Sequence, residues 1–310
     1  MKTSLAARWR YAAKPDSWGK LLVPFALGQA MGLGPALDAE RSFSLARAAL
    51  ALAFTVFDLL FIVFLNDFFD REVDALKRRM FPTGCSPKTI PDKILTARQL
   101  LLAGLGMGLL AMLTALASEL FLGVRGATLA AMVSLGIFIA YSAPPLRMNY
   151  RGGGELLEMV GVGVLLPWMS ALMQGGAPLS HAMVFLPGFA VLSLASAIAS
   201  GLADERSDRL GGKRTLVTVI GNTLSRRAIE ALTVLGALAW MATGFFEMPL
   251  WIALPAGLFV LVEVPTLRKK SDAAQTDAFD AQRAYKGTLH TMIRHAALGL
   301  AVLLVVYELR

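Results

Sequence analysis

Cysteine is almost absent from this chain of 310 residues: Cys85 stands alone, so no intrachain disulfide can form and nothing marks an oxidising compartment. Charge is thin as well. Asp, Glu, Lys and Arg make up 17% of the residues, against about 25% in an ordinary globular domain. Too little charge for this length excludes a disordered chain and a conventional water-soluble enzyme. The net charge of +8 is not gathered into one basic stripe, which argues against a nucleic-acid partner. What the chain does have is apolar sequence, 56% of the total, in long runs.

Crossing a hydrocarbon core of about 30 Å takes about 20 residues at roughly 1.5 Å rise each. Nine segments meet that measure: 17–35, 44–66, 99–117, 122–141, 155–174, 182–203, 227–245, 249–266 and 285–307. The eighth is the weakest, because Pro249, Pro255, Glu263 and Pro265 fall in or beside it. No small-residue cleavage pattern follows the first, which reads as a retained span and not as a signal peptide. The expected class is an all-α membrane protein, a bundle of nine transmembrane helices in a single domain over residues 1–310, surrounded by membrane lipids. Lys and Arg favour the cytoplasmic side of a bilayer. With the N-terminus in the cytoplasm, 24 of the 30 basic residues fall on that side, including those of the two long polar loops.

Those two loops carry acidic clusters. The first runs Asn66-Asp67-Phe68-Phe69-Asp70-Arg71-Glu72-Val73-Asp74. On a continuous helix turning about 100° per residue, Asn66, Asp70, Asp74 and Asp67 occupy one quarter of the surface. Carboxylates crowded in this way repel one another unless a cation neutralises them. Hard oxygen donors, with neither cysteine nor clustered histidine, favour Mg²⁺ over zinc or copper. The second cluster, Asp204-Glu205-Arg206-Ser207-Asp208, again places two aspartates on one face at i, i+4. An even number of spans separates the clusters, so both emerge on the same side. Mg²⁺ commonly takes one or two carboxylates and completes its shell with water and phosphate oxygens. Two such clusters face to face suit a diphosphate, with Arg71, Lys77, Arg78, Arg147, Arg151, Lys213 and Arg214 neutralising the rest of its charge. Any one of these basic residues is also explained by topology alone.

Asn66-Asp67-x-x-Asp70-x-x-x-Asp74 and Asp204-x-x-x-Asp208, the latter leading into Gly212-Lys213-Arg214-Thr215-Leu216, resemble the paired signatures of the UbiA superfamily of intramembrane prenyltransferases. Tyr141-Ser142-Ala143-Pro144-Pro145-Leu146-Arg147 with Gly154-Glu155, and Lys14-Pro15 through Trp18, are similar to further segments of that family. The resemblance implies metal binding by Asn66, Asp70, Asp74, Asp204 and Asp208, with Asp67 in support. It places Tyr141 and Arg147 near the diphosphate and the reactive carbon, and Arg71, Lys77, Arg151, Lys213 and Arg214 in substrate binding. Expected partners are a prenyl diphosphate and an aromatic or lipophilic acceptor, with Mg²⁺ as cofactor and the site facing the cytoplasm. Leu289-His290 is similar to the quinone-pathway members, so a quinone-precursor acceptor such as a dihydroxynaphthoate is expected. A lipid alcohol or a tetrapyrrole is the alternative. The run Leu76–Pro87 departs from the family pattern, which bears on the acceptor, since that loop is expected to cap the site.

Weaker signals resolve differently. Gly104, Gly106 and Gly108 follow no strand, so close helix packing explains them better than dinucleotide binding. Asp58, in mid-span, costs at least about 2.5 kcal/mol there and is expected to make an interhelical hydrogen bond. Glu158 stands one turn from Glu155, where packing and contact with an acceptor hydroxyl are both open. His290, Arg294 and His295 read as packing and interface residues of the last span. A cation-coupled transporter is the rival reading, but it needs its acids near the bilayer midplane within broken helices.

Overall fold

The computed structural model describes residues 4–38, 42–246 and 248–310. Lys2 and Arg41, both counted in the charge bias, lie outside them. Among the described residues there is no strand.

Eight helices among the described residues are long and apolar enough to cross a membrane. In chain order, a short N-terminal helix α1 (Leu5–Ala13) precedes the first of them, α2 (Gly19–Asp38). Then come α3 (Leu45–Phe69), the loop helix α4 (Arg71–Met80) and α5 (Ala97–Leu122). The apolar α6 (Ala127–Ser142) has 16 residues, about 24 Å of helix, and is too short to count among the eight. After it run α7 (Gly154–Gly175), α8 (His181–Leu202) and the loop helix α9 (Glu205–Leu210). The chain ends with α10 (Leu216–Ile220), α11 (Asn222–Phe245), α12 (Leu250–Ser271) and α13 (Phe279–Glu308). The nine expected segments thus all become helices. The weak eighth survives in α12 in spite of Pro255, and it is the fourth that falls short in length.

Successive helices pack side by side: α2 on α3, α3 on α5, α5 on α6, α6 on α7, α7 on α8, α8 on α11, α11 on α12, α12 on α13, and α13 back on α2. The result is a closed ring. The two largest apolar clusters are drawn mainly from α2, α8, α11, α12 and α13, with Trp240 and Leu289 at 0% exposure, and from α3, α5, α6 and α7. Close approach of α5 to α3 depends on Gly104 and Gly108. A Cβ on either would lie 2.6 Å from Leu65 or 2.8 Å from Phe61, whereas one on Gly106 would meet nothing. The glycine spacing is therefore a packing device, as its position in a helix implies. The outward faces of α5, α6, α11 and α12 expose Leu105, Leu109, Leu129, Leu235, Leu254 and Phe259, far more apolar surface than a water-soluble monomer carries. The chain is an integral, multi-pass membrane protein.

Candidate active site

Both acidic clusters begin where a long helix ends, and the helix ends set their directions. Helix α3 stops at Phe69, and Asp70 (φ −94°, ψ 8°) joins it to α4. Helix α8 stops at Leu202, and Asp204 opens α9. Helices α4 and α9 then pack against each other. Gly211 permits this: a Cβ there would sit 2.5 Å from Val73.

Lysines stitch the clusters together. Lys213 lies 2.7 Å from Asp70 and 3.9 Å from Asp208, so one ammonium spans both motifs. Lys77 pairs with Asp204 and donates to the Ala203 carbonyl at 3.3 Å. Lys88 pairs with Asp74, and Lys14 with Asp67. Burial opposes the charge on Lys213, but Asp70 and Asp208 hold it above the usual lysine range. Burial raises Asp208 to about 6, against the pull of Lys213 and Lys77. Lys77 lies below the usual lysine range through burial and the nearby ammonium groups of Lys88 and Lys286.

The first motif does not act as one quarter-turn of helix. Asp70 meets the second motif through Lys213, whereas Asp74 pairs with Lys88 of the 81–95 loop. Asp67, 2% exposed, instead accepts from Lys14 and from the Thr89 hydroxyl at 2.6 Å, and so anchors the N-terminal segment and the 81–95 loop. Asn66 Oδ1 accepts from Ser142 at 3.4 Å, close to Tyr141. Arg147 stacks 3.6 Å from the Tyr150 ring centroid and donates to the Phe69 carbonyl. Arg71 donates to the Phe68 carbonyl, while Arg151 and Arg214 are exposed at the rim. Lys88, Thr89 and Tyr150, which donates to Asp70 at 3.1 Å, went unread in the sequence, and Lys14 was read only as part of a family-like segment, without its Asp67 partner. Lysine and tyrosine in loops carry no periodic signal, and Lys14 and Asp67 are 53 residues apart. Burial and the Asp70 charge push the Tyr150 phenol above the usual tyrosine range.

A cavity of about 990 Å³ opens beside this cluster. It meets the acidic site through Lys77 and Asp204, the loop through Cys85, Ser86 and Pro87, and descends past Val162, Phe189 and Ile293. The loop expected to cap the site therefore does reach its mouth. His290 is not only a packing residue: it lines the cavity, with Nε2 3.4 Å from the Ser196 carbonyl. Asp58 is buried, but its Oδ1 has no hydrogen-bond partner among the described residues, so the expected interhelical bond is not made there.

Among the described residues no three Asp, Glu, His or Cys side chains gather tightly enough to hold an ion by themselves. The donor set nonetheless suits Mg²⁺, which needs only one or two carboxylates before phosphate and water complete its shell. Every carboxylate of the two aspartate motifs pairs with a lysine, the arrangement expected where a cation or a cation–phosphate unit can replace the ammonium.

A helical ring with two lysine-bound aspartate motifs at one rim defines a membrane enzyme class, and comparison with known proteins identifies it. The UbiA prenyltransferase family model matches residues 21–287, and the chain belongs to that family. A UbiA homologue from Archaeoglobus fulgidus bound to DMAPP and Mg²⁺ superposes with a TM-score of 0.71 at 17% identity, over 95% of this chain and 99% of that one. Another structure of the A. fulgidus homologue, bound to GPP and Mg²⁺, gives 0.70 at 18% identity over the same fractions. Among curated proteins, the chloroplastic chlorophyll synthase of Oryza sativa subsp. japonica is 29% identical over 166 residues, 51% of this chain and 40% of that protein. That of Arabidopsis thaliana is 24% identical over 165 residues, 52% and 41% of the two chains. The match thus spans about two-fifths of each curated relative.

Proposed function

We propose that the protein is a Mg²⁺-dependent intramembrane prenyltransferase that moves a prenyl group from an allylic prenyl diphosphate to an aromatic, quinone-precursor acceptor. The observation that carries the reading is Lys213 spanning Asp70 and Asp208, which brings the two motifs together beside a cavity with an apolar floor. Asn66, Asp70, Asp74, Asp204 and Asp208 would hold Mg²⁺, which draws charge onto a diphosphate leaving group. Lys77, Lys213, Arg71 and Arg214 balance the remaining phosphate charge. Tyr141 and Arg147 stand beside the reacting carbon, and the cavity floor excludes the water that would quench an allylic cation.

An acceptor carboxylate can be met at Arg147 or Arg151, beside the Gly152-Gly153-Gly154 turn, where Gly152 and Gly153 adopt φ of 85° and 118°. The N-terminus and the site face the cytoplasm, as the basic residues direct. The chlorophyll synthase relatives support a second reading, in which the acceptor is a tetrapyrrole. Membranes carrying the protein, incubated with Mg²⁺, labelled prenyl diphosphates and a panel of aromatic acids and tetrapyrroles, decide between the two by product mass. No Mg²⁺-dependent prenylated product from any acceptor would sink the proposal.

A further inference from the structure

Below the aspartate motifs the cavity holds a second ionisable group that the metal chemistry does not use. Glu158 lies on α7 one turn from that helix's first residue, with 20% of its side chain exposed, and it lines the cavity. Lys20, near the start of α2, donates to Glu158 Oε1 at 2.7 Å and to the Ser200 hydroxyl at 3.3 Å. No hydrogen bond among the described residues engages Oε2. Just beyond, Gly161–Leu165 runs as a π-helical turn, a distortion often found at functional sites. Around the same cavity stand Lys286, His290 and Arg294 of α13, and Asp204 with Lys77 at the acidic end. An ionised carboxylate is costly inside a bilayer, and such residues commonly mark a path for substrate or proton. One carboxylate oxygen is thus held by Lys20 while the residue as a whole lines the cavity.

We infer that Glu158 is the base that takes the acceptor's proton, with Lys20 as its positioning residue. The inference rests on the prenyl-transfer reading above and deepens it, because it requires an acceptor that gives up a proton from a ring carbon or hydroxyl. In the step, the C–O bond between the prenyl carbon and the diphosphate breaks, and its electron pair leaves with the diphosphate. The acceptor's ring carbon, or its hydroxyl oxygen, forms the new bond to that prenyl carbon. The proton on the attacking atom passes to Glu158 Oε2, and its bonding pair restores the aromatic ring or neutralises the oxygen. Glu158 then yields the proton to water at the polar mouth of the cavity. A lysine-paired carboxylate is a weak base, but it is strong enough here, since a prenylated arenium or oxonium is a far stronger acid than a carboxylic acid.

The test is Glu158→Gln in intact membranes, with Mg²⁺, a labelled prenyl diphosphate and the acceptor that wild type prenylates. Loss of a general base should lower kcat for acceptor prenylation by about 10²-fold or more, with KM for prenyl diphosphate within about twofold of wild type. Mg²⁺-dependent breakdown of the diphosphate to free prenol should persist, since ionisation does not need Glu158. Glu158→Asp, which keeps the charge and the Lys20 partner, should recover part of the transfer. Should Glu158→Gln fail to reach the membrane, Glu158→Asp alone carries the test: about a tenfold lower kcat at unchanged donor KM supports the role, and an unchanged kcat overturns it. Transfer by Glu158→Gln at near wild-type rate overturns it as well, as does loss of prenyl diphosphate binding together with transfer. An inactive wild type would instead strike the prenyl-transfer reading itself.

Discussion

Charge compensation by lysine is the organising feature at the scale of single residues. Four aspartates of the two motifs and Asp67 share four lysines, drawn from the N-terminal segment, from α4, from the 81–95 loop and from the segment after α9. Asp70→Ala and Asp208→Ala should each cut prenyl transfer by more than about 10²-fold while insertion stays normal, because a lost ligand removes leaving-group stabilisation. Full activity of either variant, or of wild type in EDTA, would contradict the metal site. Lys213→Met removes the ammonium shared by both motifs. Its effect should fall on KM for prenyl diphosphate, by about tenfold or more, with little change for the acceptor. The raised Asp208 carboxyl gives a pH signature. Protons compete with metal once pH falls through about 6, so calorimetric Mg²⁺ affinity should drop between pH 7.5 and 5.5. Asp208→Asn should abolish that dependence.

Elements bring these residues together through loops more than through the spans. The loop between α4 and α5 is latched by Asp92, which accepts from Arg78 at 2.6 Å, from the Tyr11 hydroxyl and from the Lys88 backbone N–H at 3.1 Å. Burial works against the Asp92 charge, yet these bonds hold its carboxyl below the usual aspartate range. A depressed carboxyl stabilises the folded loop above its ordinary titration range, and the contribution is lost as pH falls through the lower, folded value. Asp92→Asn should therefore loosen the loop at neutral pH, and Cys85 should react with maleimide roughly tenfold faster; an unchanged rate would show that the latch is not needed. Among the spans, Gly104→Val should destabilise the α3–α5 contact by roughly 1–3 kcal/mol in thermal unfolding. Gly106→Ala, facing open space, should be neutral or slightly stabilising. The glycine pattern was legible as packing. The break at Asp70 was not, because periodicity alone cannot say where a helix gives way to a second one.

Viewed whole, the molecule is a ring of helices with the two aspartate motifs at one rim and a cavity beside them. The basic residues predict which rim faces the cytoplasm. In a Cys85→Ser background, cysteines replacing Thr83 and Arg209 should be labelled only from the cytoplasmic side, and one replacing Leu179 only from the other. Labelling of positions 83 and 209 from opposite sides would separate the two motifs and break the single site. The sequence by itself determined the membrane-spanning helical class, the approximate position of all nine apolar segments and the aspartate motifs. Each of these follows from local composition or from helical spacing, which the chain carries residue by residue. Tertiary structure alone decided that Asp67 turns to Lys14 and Thr89 and that Lys213 joins Asp70 to Asp208, across 143 residues of chain in the second case. It likewise set Lys20 against Glu158, 138 residues apart. Ion pairs at such separations leave no periodic trace, since they arise only when the closing of the ring brings distant loops into contact.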